Sequence, residues 1–235
     1  MIKLVAFDLD GTLTQHKTKL SPENRAALEK LAENYKLLMV GAGTCRRIFN
    51  QMDFPIDIIG NYGMQYAKYN PETKDIYIVR DETRPVDKGT IEKKVTALRK
   101  KYGFTEFSGD NVEYHPSGCI TFPILGTKAK QEDKLAFDPD RAKRRKIYED
   151  VVNTFSDYVV FIGGSSSFDM APKPYNKAYA LDLYCKENGI KHDEVVYVGD
   201  DYGPGGNDES VFKEDFIGVQ IDDYTTFPEK VKFLL

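Results

Sequence analysis

Lys3-Leu4-Val5-Ala6-Phe7-Asp8-Leu9-Asp10-Gly11-Thr12 begins as a strand and ends as a loop. The apolar run Leu4-Val5-Ala6-Phe7 has the composition of a strand covered on both faces. Asp8-Leu9-Asp10-Gly11-Thr12 has turn chemistry. Downstream, Ser21-Pro22 predicts a helix start, a capping serine before proline at the first helical position, with Leu28, Leu31 and Ala32 on its apolar face. Residues 36–40 read as a second buried strand ending in Gly41-Ala42-Gly43-Thr44; a helix follows, then a third strand over 56–59. Strands alternating with helices at this spacing indicate an α/β fold, a parallel sheet with helices on its faces. Ligands of such sheets bind outside the carboxyl ends of the strands. Asp8 and Thr44 both fall there.

The middle of the chain has another character. Residues 64–69 and 75–79 read as a hairpin around Asn70-Pro71, and 87–102 as a helix with Ile91, Val95, Leu98 and Tyr102 on one face. Strands are expected at 112–114 and 119–123. A second helix from Asp138-Pro139 should bury Ile147, Val151 and Phe155, and strands at 158–162 and 167–171 complete the segment. Helices beside an antiparallel sheet form an α+β pattern. The chain is therefore expected to divide into an α/β core, 1–81 and 171–235, and an inserted α+β cap domain, 82–170, that sets substrate specificity. The parallel pattern resumes with a helix over 177–188 that Gly189 stops. A strand over 195–198 carries Gly199-Asp200-Asp201 at its carboxyl end, and a last strand, 216–219, precedes a short helix.

The 235 residues suffice for a sizeable core, and 41% hydrophobic with 30% charged residues is an ordinary soluble composition. A net charge of −4 argues against nucleic acid as the main partner. No apolar run has the length of a membrane span, and the opening residues lack a signal peptide's layout. Cys45, Cys119 and Cys185 are odd in number and far apart, which reads as thiols of a reducing compartment outside any disulfide or zinc site. The cytoplasm is the expected location.

Two carboxylates at a strand end can divide the work of phosphoryl transfer. Asp8 can attack phosphorus and form an aspartyl phosphate. Asp10, two residues on, can protonate the leaving oxygen and later take a proton from the attacking hydroxyl. Gly11 allows the turn, whose N–H groups can hold phosphate oxygens. A carboxylate approaching a phosphate dianion meets like-charge repulsion, so a cation is needed. Gly199-Asp200-Asp201 and Gly205-Gly206-Asn207-Asp208 supply hard oxygen ligands suited to Mg²⁺.

Together these residues resemble the haloacid dehalogenase (HAD) superfamily, and within it the branch of eukaryotic-type phosphomannomutases and related sugar phosphatases. Four segments carry the resemblance: Phe7-Asp8-Leu9-Asp10-Gly11-Thr12-Leu13-Thr14, Asn61-Tyr62-Gly63-Met64, Gly163-Gly164-Ser165-Ser166-Ser167-Phe168-Asp169 with Lys177 beyond it, and Gly199-Asp200-Asp201-Tyr202-Gly203-Pro204-Gly205-Gly206-Asn207-Asp208. The resemblance implies a HAD-like core in which Asp8 is the nucleophile and Asp10 the acid/base. Asp200 would bind Mg²⁺ beside Asp8 and the backbone carbonyl of Asp10, with Asp208 supporting the metal site. Lys177 would balance charge on Asp8, and Thr44 would be the hydroxyl after the second strand. Asn61, Gly63, Ser167 and Asp169 would contact the substrate.

A hexose phosphomutase must also hold a second phosphate, for which arginine is the natural clamp. The family's mutases carry Arg-Asn-Gly-Met and Ile-Gly-Arg in the cap. Here the matching stretches read His115-Pro116-Ser117-Gly118 and Leu125-Gly126-Thr127. Arg84, Lys128, Lys130, Arg141, Arg144 and Arg145 could replace the clamp, although 143–146 is a charge run of the kind that forms a solvated helix face. A phosphatase acting on a small, hydroxyl-rich phosphate ester is therefore expected, with a phosphomannomutase as the alternative. A non-catalytic binding protein on the same scaffold is a minor third reading, which the retained Asp8, Asp10 and Asp200 oppose. Which ester is bound, and the oligomeric state, stay open at the level of sequence.

Overall fold

Strand β1 (Leu4–Phe7) lies in the interior of a seven-stranded sheet because both of its faces are apolar. Val5 and Phe7 pack with Leu28, Leu31, Met39 and Ile48 on one face, while Leu4 and Ala6 pack with Leu38, Leu181 and Tyr197 on the other. The computed structural model describes residues 1–235. After β1 come α1 (Pro22–Ala32), β2 (Lys36–Val40), α2 (Cys45–Met52), β3 (Asp57–Gly60), β4 (Gln65–Asn70) and β5 (Asp75–Asp81). Next are α3 (Lys88–Tyr102), β6 (Glu113–Tyr114), β7 (Ile120–Pro123), α4 (Gln131–Phe137), α5 (Ala142–Thr154), β8 (Tyr158–Phe161) and β9 (Ser167–Pro172). The run ends with α6 (Lys177–Asn188), β10 (Val195–Gly199), α7 (Glu209–Phe212), β11 (Ile217–Gln220) and α8 (Phe227–Lys230).

Two compact units result. The first comprises Met1–Glu82, Tyr175–Gly203 and Asp208–Leu235. Its strand order is β11-β10-β1-β2-β3-β4-β5, parallel from β11 to β3, with an antiparallel hairpin, β4–β5, at the edge. Register aligns the strand ends: Phe7 lies opposite Val198 on β10 and Met39 on β2. The residues after β1, β2 and β10 therefore emerge along one rim. Ser21 caps α1 by accepting the Asn24 N–H, and α6 ends at Gly189 in the left-handed conformation, as the sequence predicts.

The second unit comprises Thr83–Pro174 and Pro204–Asn207. It is built on an antiparallel sheet of order β6-β7-β9-β8, with Val95, Leu98, Ile147, Val151 and Phe168 in its core. The division falls at 174/175 rather than at the expected 170/171, because β9 runs on to Pro172, paired with Tyr158 of β8. The stretch 204–207, expected in the core domain, joins this unit, where the Gly205 carbonyl accepts the Ile162 N–H at 2.8 Å. Helix α4 adds to the expected elements, and α5 starts at Ala142 rather than at Asp138-Pro139.

The charge run 143–146 is also not a wholly solvated face. Arg144 is buried, its Nε 2.8 Å from Asp138 Oδ2, while its Nη1 donates to the carbonyls of Gly163 (2.7 Å), Gly164 and Ser167 (both 3.1 Å). It is therefore a fixed strut under the loop that carries Ser165 to Ser167, with its donors already engaged. Arg144→Met should lower the unfolding free energy by about 3–5 kcal/mol, because a buried carboxylate loses its partner. Burial works to raise the Asp138 pKa, but the Arg144 side chain and the N–H groups of Lys143 and Arg144 outweigh it and leave it lowered. The pair's contribution is thus present above the unfolded carboxylate pKa and lost as pH falls below about 4. Urea titrations at pH 7 and pH 3.5 should show the gap between wild type and variant narrowing in acid; a gap independent of pH would contradict an ionic strut.

Candidate active site

Asp8 leaves the end of β1 directly into a tight loop. Leu9 O accepts the N–H groups of Thr12, Leu13 and Thr14, and Gly11 N–H donates to Thr14 O at 2.7 Å. Gly11 has φ +100, and a Cβ there would overlap the Asp200 carboxylate, so this turn and close approach admit only glycine. Asp200 follows β10, and Thr12 Oγ1 donates to its Oδ1 at 2.8 Å. Lys177 opens α6 and is completely buried. Its Nζ lies 2.5 Å from Asp8 Oδ1 and 2.7 Å from Asp208 Oδ1.

Asp208 is buried and fully engaged. Its Oδ1 also accepts the Tyr197 hydroxyl at 2.5 Å, and its Oδ2 accepts the Asp201 N–H at 2.9 Å. Asp8 and Asp200 differ, since in each only Oδ1 is bonded within the protein. Ligand oxygens of Asp8, Asp200 and Asp208 all lie within 4.8 Å of one another. Three carboxylates face one ammonium, leaving an excess of negative charge in a buried place. Burial and the Asp208 and Asp200 carboxylates push the Asp8 pKa well up, against the pull of Lys177. Burial, followed by Asp208, raises that of Asp200 to about 6. Burial opposes the charge of Lys177, but its two carboxylates hold its pKa above the usual lysine value.

A hard divalent cation fits this set by charge and by donor type. Asp8 and Asp200 each keep one oxygen without a protein partner that could serve such an ion, while Asp208 anchors Lys177 and the Asp201 backbone.

Asp10 sits apart from this charge cluster. Its Oδ1 accepts the Lys17 N–H at 2.8 Å and Gln51 Nε2 at 2.7 Å; Arg47 and His16 lie 3.5 and 3.9 Å from its Oδ2. Burial works to raise its pKa, but these four groups outweigh it and leave Asp10 lowered. Gln51 and Arg47 were not singled out from sequence. Their spacing of one helical turn on α2 was the available signal.

The other expected residues make local contacts. Thr44 is exposed and caps α2, its Oγ1 accepting the Arg47 N–H at 3.2 Å. Gly63 is buried with φ +104, and a Cβ there would overlap that of Ala180 on α6; close packing accounts for this glycine without a ligand. Asn61 and Tyr62 both hold left-handed backbone just before it, and Asn61 N–H donates to Gly43 O at 2.8 Å. In the second unit, Ser167 Oγ donates to Gly163 O at 3.0 Å, and Asp169 Oδ1 accepts Thr121 Oγ1 at 2.9 Å. All three cysteines are buried and none forms a disulfide, and no helix is long and apolar enough to cross a membrane.

Comparison with known proteins joins these features. Residues 89–230 match the family described as eukaryotic phosphomannomutase, and residues 5–54 match haloacid dehalogenase-like hydrolases. The chain is 24% identical to a probable phosphomannomutase of Caenorhabditis elegans, over 90% of this chain and 87% of that protein. It is 25% identical to human phosphomannomutase 1, over 90% and 83% of the two chains, and 27% identical to a phosphomannomutase of Schizosaccharomyces pombe, over 89% and 84%. Among solved structures, an IMP-nucleotidase of Plasmodium falciparum superposes with TM-score 0.70 at 15% identity, over 99% of this chain and 68% of that one. A HAD-superfamily phosphatase of Bacteroides thetaiotaomicron gives 0.65 at 17% identity, over 100% and 95%. At such identities these structures show the shared HAD fold alone.

Proposed function

This chain belongs to the eukaryotic phosphomannomutase family of the HAD superfamily, and from that premise we propose that it is a Mg²⁺-dependent phosphohydrolase of a small sugar phosphate, working through phosphorylated Asp8. One observation carries hydrolysis over isomerisation. The positions where the family's mutases have arginine hold His115 and Thr127, and both are tied down locally. His115 Nε2 lies 3.1 Å from Thr121 Oγ1; Thr127 Oγ1 accepts the Asp110 N–H at 2.9 Å and donates to Asp110 Oδ2 at 3.0 Å. Arg99 and Arg144 offer no replacement, since both are buried against backbone carbonyls. With those two positions tied down and Arg144 already engaged, we favour water as the acceptor of the phosphoryl group.

In this reading Asp8 attacks phosphorus, and Asp10 protonates the leaving oxygen and then deprotonates water. Lys177 keeps Asp8 in place and offsets its charge. Asp8, Asp200 and the Asp10 carbonyl would hold Mg²⁺, which supplies charge neutralisation at the transferring phosphoryl group. Thr44, whose hydroxyl oxygen caps α2, keeps an O–H donor and stays a proposed contact to the phosphoryl group. Ser167 and Asp169 are the proposed contacts to sugar hydroxyls in the specificity unit.

A mutase is the second reading, favoured by the family match itself. The two part on one assay: mannose 1-phosphate with Mg²⁺, following free phosphate and mannose 6-phosphate, with and without a hexose bisphosphate. Steady phosphate release with little isomerised sugar is expected. Isomerisation outpacing release would overturn the hydrolase in favour of the mutase.

A further inference from the structure

The carboxyl group of Asp10 is oriented by residues outside its own strand end. Oδ1 accepts two hydrogen bonds, from the Lys17 N–H and from Gln51 Nε2. The same Gln51 nitrogen lies 3.2 Å from Thr14 Oγ1, and Gln51 Oε1 accepts Arg47 Nη1 at 3.2 Å. A guanidinium can only donate, so Arg47 fixes which end of the Gln51 amide is oxygen and turns the nitrogen toward Asp10. Oδ2 takes neither of the two bonds.

These contacts distinguish the two oxygens of Asp10. A carbonyl oxygen has two lone pairs, and Oδ1 uses both as an acceptor. It could carry a proton only by giving up one of these bonds. The transferable proton of a neutral Asp10 therefore belongs on Oδ2.

We propose that Gln51 is a positioning residue that holds Asp10 with Oδ2 as the proton-transferring oxygen. The proposal rests on Asp10 being the acid/base of the phosphohydrolase described above. In the first half-reaction an Asp8 oxygen bonds to phosphorus, and the bond from phosphorus to the leaving oxygen breaks. That oxygen keeps the electron pair and takes the proton from Asp10 Oδ2. In the second half, water bonds to phosphorus, its proton passes to Asp10 Oδ2, and the bond between phosphorus and Asp8 breaks.

Proton delivery matters in proportion to the basicity of the leaving oxygen. Phenolate, whose conjugate acid has a pKa of about 10 as in tyrosine, needs the proton; the much less basic p-nitrophenolate needs it little. The test compares Gln51→Leu with wild type on phenyl phosphate and p-nitrophenyl phosphate in saturating Mg²⁺. The readout is kcat/KM, which reports only steps through departure of the leaving group.

The variant should lose about tenfold or more on phenyl phosphate and less than about threefold on p-nitrophenyl phosphate, which also serves as its control for folding. Equal losses on both esters, or no loss on either, would overturn the role of Gln51 while leaving the phosphohydrolase standing. A wild type that releases phosphate from neither ester nor from mannose 1-phosphate would overturn the phosphohydrolase itself, and this proposal with it.

Discussion

Asp8→Asn should abolish turnover, by on the order of 10⁴-fold or more, as expected when the nucleophile of a covalent mechanism is removed. The amide keeps the shape of the carboxylate but lacks the charged oxygen that attacks phosphorus. The same change should not weaken the fold. Asp8, Asp200 and Asp208 crowd around the single charge of Lys177, and burial, with the Asp208 and Asp200 charges behind it, raises the pKa of Asp8. Removing one negative charge relieves repulsion, so thermal unfolding of the Mg²⁺-free variant should occur at or above the wild-type midpoint. Substantial residual activity in the variant would remove the covalent mechanism.

Lys177→Met should have the opposite profile, with a large loss of stability accompanying the loss of activity. The ammonium is wholly buried and bridges Asp8 and Asp208. Without it two buried carboxylates face each other unpaired, a defect worth about 3–5 kcal/mol. The sign of the pH dependence follows. A carboxyl group whose folded-state pKa lies above its unfolded value binds more protons when folded, so it gains stability as pH falls. Urea unfolding in EDTA should therefore show the variant recovering part of its loss between pH 7 and pH 5. Adding Asp208→Asn should recover part of it at pH 7. A loss below about 1 kcal/mol that ignores pH would mean that the lysine is not holding this cluster together.

The alternation of strands and helices was legible because two-sided burial requires continuous apolar runs such as Leu4-Val5-Ala6-Phe7, and capped helices leave marks such as Ser21-Pro22 and Gly189. The placement of Asp8 and Asp200 was legible for a related reason. Both follow such runs, and parallel strands bring their carboxyl ends to one rim. Thr44 also follows its strand, and its hydroxyl oxygen caps α2.

What the sequence determined by itself is thus the class of the fold, the α+β insertion, and the carboxylates at the strand ends. These depend on periodicity and on chemistry local to a few residues. Only tertiary structure decided that Arg144 lies inside, since a charge run reads as solvated unless a buried partner such as Asp138 and the carbonyls of another loop are brought to it. Tertiary structure likewise decided that Gln51 and Arg47 reach Asp10. That contact depends on how α2 is rotated against the sheet, and the rotation is set by packing of Cys45, Ile48 and Met52 across the core. Side-chain direction is a property of the packed whole, so residues distant in sequence meet at the site without a shared motif to announce them.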